Sequence, residues 1–472
     1  MVSEDLLDKM KSGGSLSGKE QSQLVFFLSI PAIMAQVTSV IMQYTDASMA
    51  GSLGAGASAS IGLVSSSTWL FGGVCGAVAA GFSIQAAHSI GGGRVQEARS
   101  IMRQSVITAL IASLLLAAAG VLTGIHLPEW LGGAEDIQDN ARNYFIIYVL
   151  SLPAVQLNRL AGGLLQCSGN MKVPGLLNIL MCILDVVFNF LLIFPSRHIY
   201  IAGVKIFIPG AGLGVTGAAL GTAFSQACIT VLMMWFLCFK SRVFKVKRHE
   251  NWKPCRECVL KAVKLALPIG WENFMMCGAM VVSTRIVAPL GSVPIAANSF
   301  AITAESLCYM PGYGIGEAAA TLTGQSIGAG RRELARKFAG MTVWFGIASM
   351  AVTGAAMFFA APAMMALLTP DESIRSLGTI VLRIEAFAEP MYGASIVAAG
   401  AFRGAGDTLV PSIMNFGSIW FVRITLALVL TRHYGLKGAW IAMCIELCFR
   451  GFIFMVRLYS EKWMHYINVQ KE

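Results

Sequence analysis

From Leu24 to Tyr459 the chain returns again and again to apolar runs near the roughly 20 residues that a helix needs to cross a bilayer core. Twelve spans are predicted, at 24–48, 57–83, 101–125, 140–163, 174–195, 213–239, 262–288, 296–320, 338–363, 375–400, 411–431 and 436–458. In hydrocarbon every backbone polar group must be satisfied within the protein, which leaves helices and closed barrels. The runs lack the alternation of a barrel strand, so the fold class is all-α integral membrane. With 56% hydrophobic against 13% charged residues and a mean hydropathy of +0.67, an ordinary soluble domain is excluded. The first 20 residues are polar and mixed in charge, without the basic start, short apolar core or cleavage site of a signal peptide, so the first helix is expected to be retained.

A net charge of +10 would suggest nucleic acid as a partner of a soluble protein, but its distribution points elsewhere. Of the 35 lysines and arginines, 24 fall on the side that holds both tails and 6 on the other. The positive-inside rule makes the rich side cytoplasmic, in a multi-pass protein of the plasma membrane, with membrane lipids and not nucleic acid as its surroundings. The most basic run, 240–264, divides the chain nearly in half and is expected to lie against anionic headgroups. Its Cys255 and Cys258 make only half of a zinc site, so no metal is expected, and the other nine cysteines read as packing residues.

Sliding the sequence by 237 positions aligns it with itself. "HSIGGGRVQEAR" at 88–99 meets "QSIGAGRRELAR" at 325–336, Pro31 meets Pro268, Pro153 meets Pro390, Gly169 meets Gly406 and Asn178 meets Asn415. After the fifth span the offset falls to 221, so the first half carries 16 extra residues, "PSRHIYIAGVKIFIPG", expected as an outer loop with a short hairpin. Six spans per half return the chain to its starting side. The halves are therefore parallel repeats, two six-helix lobes related by a pseudo-two-fold axis along the membrane normal. The predicted division is a tail at 1–23, a first lobe at 24–239, a linker at 240–261, a second lobe at 262–458 and a tail at 459–472. The repeated phrase falls in equivalent loops, where its glycines are expected to turn the chain and its arginines to anchor at headgroups. It lacks the Lys-Ser/Thr of a nucleotide P-loop. It also lacks the aspartate of the signature that major facilitator transporters carry in this loop.

At this point the sequence resembles the multidrug and toxic compound extrusion (MATE) family, over roughly Gln23 to Tyr459. "VTSVIMQYTDASMAGSLG" is similar to its first helix, "MPGYGIGEAAATLTGQSIGAG" to its eighth helix and following loop, and "FRGAGDTLVP" to its tenth-to-eleventh connection. The resemblance implies two lobes flanking a central cavity, and export of organic, often cationic and amphipathic compounds driven by a cation gradient.

Each ionisable group in mid-span costs about 2.5–3.5 kcal/mol on insertion scales and asks for a reason. Asp46, Asp185, Glu272 and Glu305 have no acidic counterpart at the 237 offset, so they are read as placed for a task and not for the fold. The family's first-helix aspartate corresponds to Asp46. Asp185 has Asn189 one turn away, where the family often has an asparagine four residues earlier and this chain has Met181. Some branches carry the seventh-helix acid eight residues after its proline, a position held here by Met276, so Glu272 does not inherit that role directly. Glu272 and Glu305 are expected to approach across neighbouring helices and share a proton. The alternatives are burial of Asp46 beside Gln43 or Thr45, and pairing of the glutamates with Arg285 or Arg423. Glu446 and Arg450 are read as a structural ion pair, Arg159 and Arg285 as helix-end cations, and Glu385 and Glu389 as close enough to repel. Pro31, Pro268 and Pro311 are expected to bend their helices. Trp271, Met275, Met276, Tyr309 and Tyr313 are candidates for a pocket for flat cations, with lipid or core packing as the alternative.

The reading is a monomeric antiporter of small organic substrates. It needs no cofactor and uses H⁺ or Na⁺ as coupling ion. A flippase for lipid-linked precursors, with a related two-lobe fold, would call for a more cationic cavity than these acids provide. An embedded enzyme would need a clustered site, whereas the six histidines are scattered mostly among loops.

Overall fold

A computed structural model describes residues 2–11, 14–201, 204–246, 252, 255–460 and 462–464. Parts of the predicted linker and C-terminal tail, with His249 and His465, lie outside the described residues.

A short helix α1 (Val2–Lys11) precedes the first membrane helix, α2 (Gly18–Gly51). There follow α3 (Ala55–Gly91), α4 (Val95–Gly124), a single turn α5 (Leu127–Trp130), the broken pair α6 (Glu135–Leu150) and α7 (Leu152–Cys167), α8 (Lys172–Ile193) and α9 (Gly214–Trp235). The second half repeats this with α10 (Arg256–Val287), α11 (Ser292–Gly328), α12 (Arg332–Leu368), the pair α13 (Glu372–Ala386) and α14 (Glu389–Gly404), α15 (Leu409–Gly417) running through a π-helical turn into α16 (Ile424–Tyr434), and α17 (Leu436–Ser460). Among the described residues nine helices are long and apolar enough to span a membrane, and α6 with α7, bent by 46°, makes a tenth. The other two of the twelve are α11, with Glu305 and Glu317 in its interior, and the pair α13 and α14, with Arg383, Glu385 and Glu389.

The backbone carries the repeat. Gly93 and Gly330, 237 positions apart, both have φ of 72°, and Gly169 and Gly406 have 92° and 90°. Past the change of offset, Gly214 and Gly435 have 56° and 58°. At Gly93 and Gly330 the chain leaves one long helix and enters the next through left-handed backbone, which a side chain resists. The described residues of this insertion lie in the paired antiparallel strands β1 (Pro195–Ile201) and β2 (Val204–Ala211), with Tyr200 opposite Lys205. Pro31, Pro268 and Pro311 lie inside continuous helices, whereas the breaks fall at equivalent places in the two lobes, at Ser151 ahead of Pro153 and at Phe387 and Ala388 ahead of Pro390.

Two expectations about the loops are corrected. Glycine in the repeated phrase does more than turn the chain, because Gly91 and Gly328 bring α3 and α11 into backbone contact. A Cβ on Gly91 would collide with the Gln325 carbonyl, and one on Gly328 with the His88 carbonyl. Two of the phrase's four repeated arginines are drawn inward, Arg99 donating to the Val243 carbonyl at 2.8 Å and Arg331 to the carbonyls of Met10 at 3.1 Å and Gly14 at 2.8 Å, while Arg94 and Arg336 are exposed. The polar N-terminal segment hides an apolar stripe. Leu6, Leu7 and Met10 of α1 are buried against α2, Met171 of the first lobe, and Ala318, Leu322, Leu334 and Phe338 of the second. Ser17 and Glu20 cap the start of α2 reciprocally, at 3.3 and 2.7 Å.

Candidate functional site

Three elements of the first lobe converge on one polar cluster. Asn189 of α8 donates through Nδ2 to Asp46 of α2 at 2.8 Å and to Asp185, one turn back on α8, at 3.0 Å. Ser225 of α9 donates to the other Asp185 oxygen at 3.2 Å. Asp185 and Asn189 are fully buried and Asp46 is partly exposed, so Asp46 is the accessible edge of the cluster. Asn189 Oδ1 is buried without a partner, and Gly221 of α9 lies so close that any side chain there would fill its space. Among the described residues no lysine or arginine hydrogen-bonds either carboxylate. Two carboxyl groups bridged by one amide N–H₂ make a set suited to a shared proton, and a hard cation would require the Asn189 amide to turn its orphan oxygen toward them. Sequence reasoning found three of the four polar residues. Ser225 gave no signal, because serine in an apolar helix commonly bonds its own backbone, as Ser225 also does to Thr222 at 2.9 Å.

In the second lobe Glu272 and Glu305 do not meet. Glu272 accepts from Arg403 of α14 at 2.8 and 2.9 Å, from Ser412 of α15 at 2.8 Å and from Asn415 at 2.7 Å. All four bonds tie α10 to α14 and α15, and both carboxylate oxygens are saturated. This is a packing clasp, so the expectation of a proton shared with Glu305 is replaced. Replacing Glu272 by Gln is expected to destabilise the lobe by about 3 kcal/mol, because Arg403 loses its counter-charge. Thermal unfolding in detergent would measure it, and an unshifted melting temperature with transport abolished would instead make Glu272 a coupling acid.

Glu305 belongs to a different group. It is buried, and its electrostatic neighbours include Arg423, Glu385 and Glu389. Both oxygens of Glu385 and of Glu389 are buried without hydrogen-bond partners. Arg423 is itself engaged by Glu446 at 2.8 Å, and Glu446 also holds Arg450 at 2.8 Å and Ser418 at 2.5 Å. The π-helical turn Ser418–Arg423 supplies two of these partners. Glu446 and Arg450 thus form the ion pair read from their spacing, with Arg423 as a third member.

The proposed pocket residues divide. Trp271 is exposed and packs on Phe274 of its own helix at 5.9 Å, and the Met275 carbonyl accepts from Trp420 at 3.2 Å. Met276 is half-buried. Tyr309 and Tyr313 lie together at 6.0 Å, and Tyr309 meets Tyr392 of α14 at 5.6 Å, beside Glu305 and Glu389. Arg159 is not at a helix end. It projects from the middle of α7 toward Gly72 and Gly76 of α3, and it is exposed.

The lobes touch through α2, α3, α10 and α11. Asn273 donates to the Gly73 carbonyl at 3.1 Å, Gln85 to that of Cys258 at 3.2 Å, His88 to that of Gly404 at 2.8 Å, and Gln325 to that of Cys167 at 2.7 Å. These four contacts run from the helix midpoints to the face that carries the chain termini, and in the opposite half Tyr44 of α2 donates to the Thr303 carbonyl of α11 at 2.5 Å. Toward the opposite face α3 exposes Ser58, Ser65 and Ser66, and α10 exposes Thr284 and Arg285. Such groups favour water over lipid.

A family model described as MatE matches residues 31–191 and 268–429, the same stretch of each lobe. The chain is 24% identical over 441 residues to a probable multidrug resistance protein NorM of Thermotoga maritima, covering 92% of both. It is 25% identical over 440 residues to one of Chromobacterium violaceum, covering 90% of this chain and 91% of that one. Among solved structures it superposes on an outward-facing multidrug resistance MATE transporter of the MOP superfamily, with a TM-score of 0.85, 19% identity and coverage of 94% and 97%. A MOP superfamily transporter from Pyrococcus furiosus, described as having a binding pocket of reversed polarity that suggests a different function, also gives 0.85, at 18% identity with coverage of 96% and 97%.

Proposed function

Because the chain belongs to the multidrug and toxic compound extrusion (MATE) family of multidrug efflux transporters, we propose that it is a secondary antiporter. It exports organic, cationic and amphipathic compounds in exchange for H⁺ or Na⁺. The observation that carries this reading is the convergence of Asp46, Asn189 and Asp185 from two helices onto one polar cluster, with Asp46 at its accessible edge. Loading that site adds positive charge where α2 and α8 pack, and so biases the arrangement of α2, which also lies along the lobe interface. Alternation then follows from rocking the two lobes, each state admitting cation or substrate from one side. Glu305 is a second coupling candidate, with Glu385 and Glu389 beside it. Trp271, Met275, Met276, Tyr309 and Tyr313 remain candidates for substrate contact. The electrical drive is substantial, since one positive charge moving through 100 mV gains about 2.3 kcal/mol.

In this reading both termini are cytoplasmic, in a monomer of the plasma membrane bathed by its lipids. The arrangement with lobes joined on the terminus face is then outward-facing. Transport in proteoliposomes with a proton gradient and a sodium gradient imposed separately tests the coupling directly. Uptake of a cationic dye that responds to neither gradient would overturn it.

The topology has its own test. Cys255 is exposed at the start of α10, on the terminus face, with its backbone N–H bonded to Gln104 at 2.8 Å. A membrane-impermeant maleimide is expected to leave it unmodified in intact cells and to modify it once the membrane is opened. Efficient labelling from outside would invert the assignment.

A further inference from the structure

We propose that Arg159 and Trp69 form a binding site on the first-lobe wall of the cleft between the lobes, and that it takes aromatic compounds bearing a carboxylate. Helical phase places both residues there. Trp69 and Ala87 of α3 are 18 residues apart, about five full turns, so they share one face of a continuous helix. Ala87 meets the second lobe, since a Cβ on Gly324 of α11 would stand 3.0 Å from its own. Trp69 therefore looks toward the second lobe as well, yet it is 59% exposed, on the open side of the seam. On α7, Arg159 and Gln166 are seven residues apart, about two turns. Gln166 reaches across to Glu317 of α11 at 2.9 Å, and Arg159, on the same face but farther from the terminus face, is exposed.

The two side chains are joined by a strip of bare backbone. Trp69, Gly72 and Gly76 follow one another on α3 at spacings of three and four, which stacks them on one side of the helix. A Cβ on Gly72 would stand 3.9 Å from Arg159 Nη2, and one on Gly76 3.4 Å from Nη1, so the guanidinium lies along this strip. Ring and guanidinium are thus one to two turns apart, roughly 5–10 Å along the helix. Among the described residues Arg159 has neither a hydrogen bond nor an ion pair. The nearby polar groups are engaged elsewhere. The Tyr148 hydroxyl donates to the Thr68 carbonyl at 2.9 Å, and Glu317, within electrostatic reach of Arg159, accepts from Gln36 at 2.8 Å on one oxygen and from Gln166 on the other. A guanidinium is a permanent cation, and one held in mid-span without a partner marks a place for an anion. Its planar fork matches the two oxygens of a carboxylate, and one guanidinium balances one charge, which fits a carboxylate better than a phosphate monoester. Trp69 supplies a flat apolar face for a ring, and the glycines let the ligand approach the backbone.

This inference rests on the reading above only in taking the cleft as the path of the substrate, and its test reads binding without transport. The probes are dansylglycine, which carries a ring and a carboxylate, and dansylglycinamide, which has the same ring and no charge. Binding to the full chain in lipid nanodiscs is followed by the fluorescence anisotropy of the dansyl group, with empty nanodiscs as baseline and no ion gradient. The parent is expected to hold the acid roughly tenfold or more tighter than the amide, the margin of a charge-assisted hydrogen bond. Arg159→Gln is expected to bring the acid down to the affinity of the amide. Arg159→Lys keeps the charge without the fork, so it should retain part of the preference, and it serves as the second variant should Arg159→Gln fold poorly. Trp69→Ala should weaken both probes by a similar factor and leave their ratio unchanged. Equal affinity of the parent for acid and amide, binding of neither, or a preference that survives in Arg159→Gln would overturn the proposal. Unaltered affinities in Trp69→Ala would overturn the part assigned to the ring. An acid preference that Arg159→Gln abolishes, in a protein that responds to neither gradient in proteoliposomes, would sink the antiport reading and leave the site standing.

Discussion

Asp46→Asn is expected to lower cation-driven export by roughly 5- to 150-fold, the range of typical coupling energies, while protein abundance stays near normal. The substitution keeps the shape of the side chain. Its carbonyl oxygen can still accept from Asn189 Nδ2, which now reaches Asp46 at 2.8 Å, so the packing of α2 on α8 has no reason to fail. What disappears is one of the two carboxyl groups that meet at that amide. The cluster can then no longer exchange a proton at its exposed edge or offer two carboxylates to a metal cation. Asp185→Asn should cost as much transport and somewhat more stability, because Asp185 is fully buried and also holds Ser225. If the pair acts as one site, the double variant should be little worse than either single one. Export in a strain lacking other pumps and gradient-driven uptake in proteoliposomes both read the effect. Unchanged transport by Asp46→Asn would remove the cluster from the mechanism and leave Glu305 as the remaining coupling candidate.

How much of this was legible in the chain depends on the range of the interaction. The twelve crossings are written in runs of apolar residues, and the two lobes in glycines and prolines at a fixed offset, because backbone geometry demands those residue types wherever the repeat occurs. Asp185 and Asn189 could be paired from their one-turn spacing, and Glu446 and Arg450 likewise. Glu272 could not be placed, since its partner Arg403 lies 131 positions away and nothing in "LPIGWENFMM" points to it. A trace did exist, because Asn415, which grips Glu272, aligns with Asn178 of the first lobe and so belongs to the repeated scaffold. The apolar stripe of α1, only Leu6, Leu7 and Met10 in a charged segment, is too short to stand out against the membrane helices. Pairings across the lobe seam, such as Gln325 with the Cys167 carbonyl, were invisible because they join residues 158 positions apart in different lobes.

The repeated phrase supplies the second strong test, through Gly91→Val and Gly328→Val. His88 and Gln325 occupy equivalent positions, and each offers its carbonyl oxygen to the glycine of the opposite lobe, so the contact is made twice with the same chemistry. Helices that touch at backbone distance have no room for a side chain, and an overpacked seam costs on the order of 1–3 kcal/mol or more. Because the parted state relieves the clash, that energy falls on the balance between states and not on the folding of either lobe. Each variant should therefore populate the parted state and lose export while both lobes remain folded. Cys167 gives the readout: its thiol is buried, and its carbonyl accepts from Gln325 across the seam at 2.7 Å. Its labelling by maleimide from the terminus face should rise in either variant. Gly340→Ala, with open space beside it, is the matched control. Gly93→Ala is not, because left-handed backbone there would add a local cost in the turn itself. A protected Cys167 together with normal export in both valine variants would show that the seam yields, and that the phrase is kept for its turns alone.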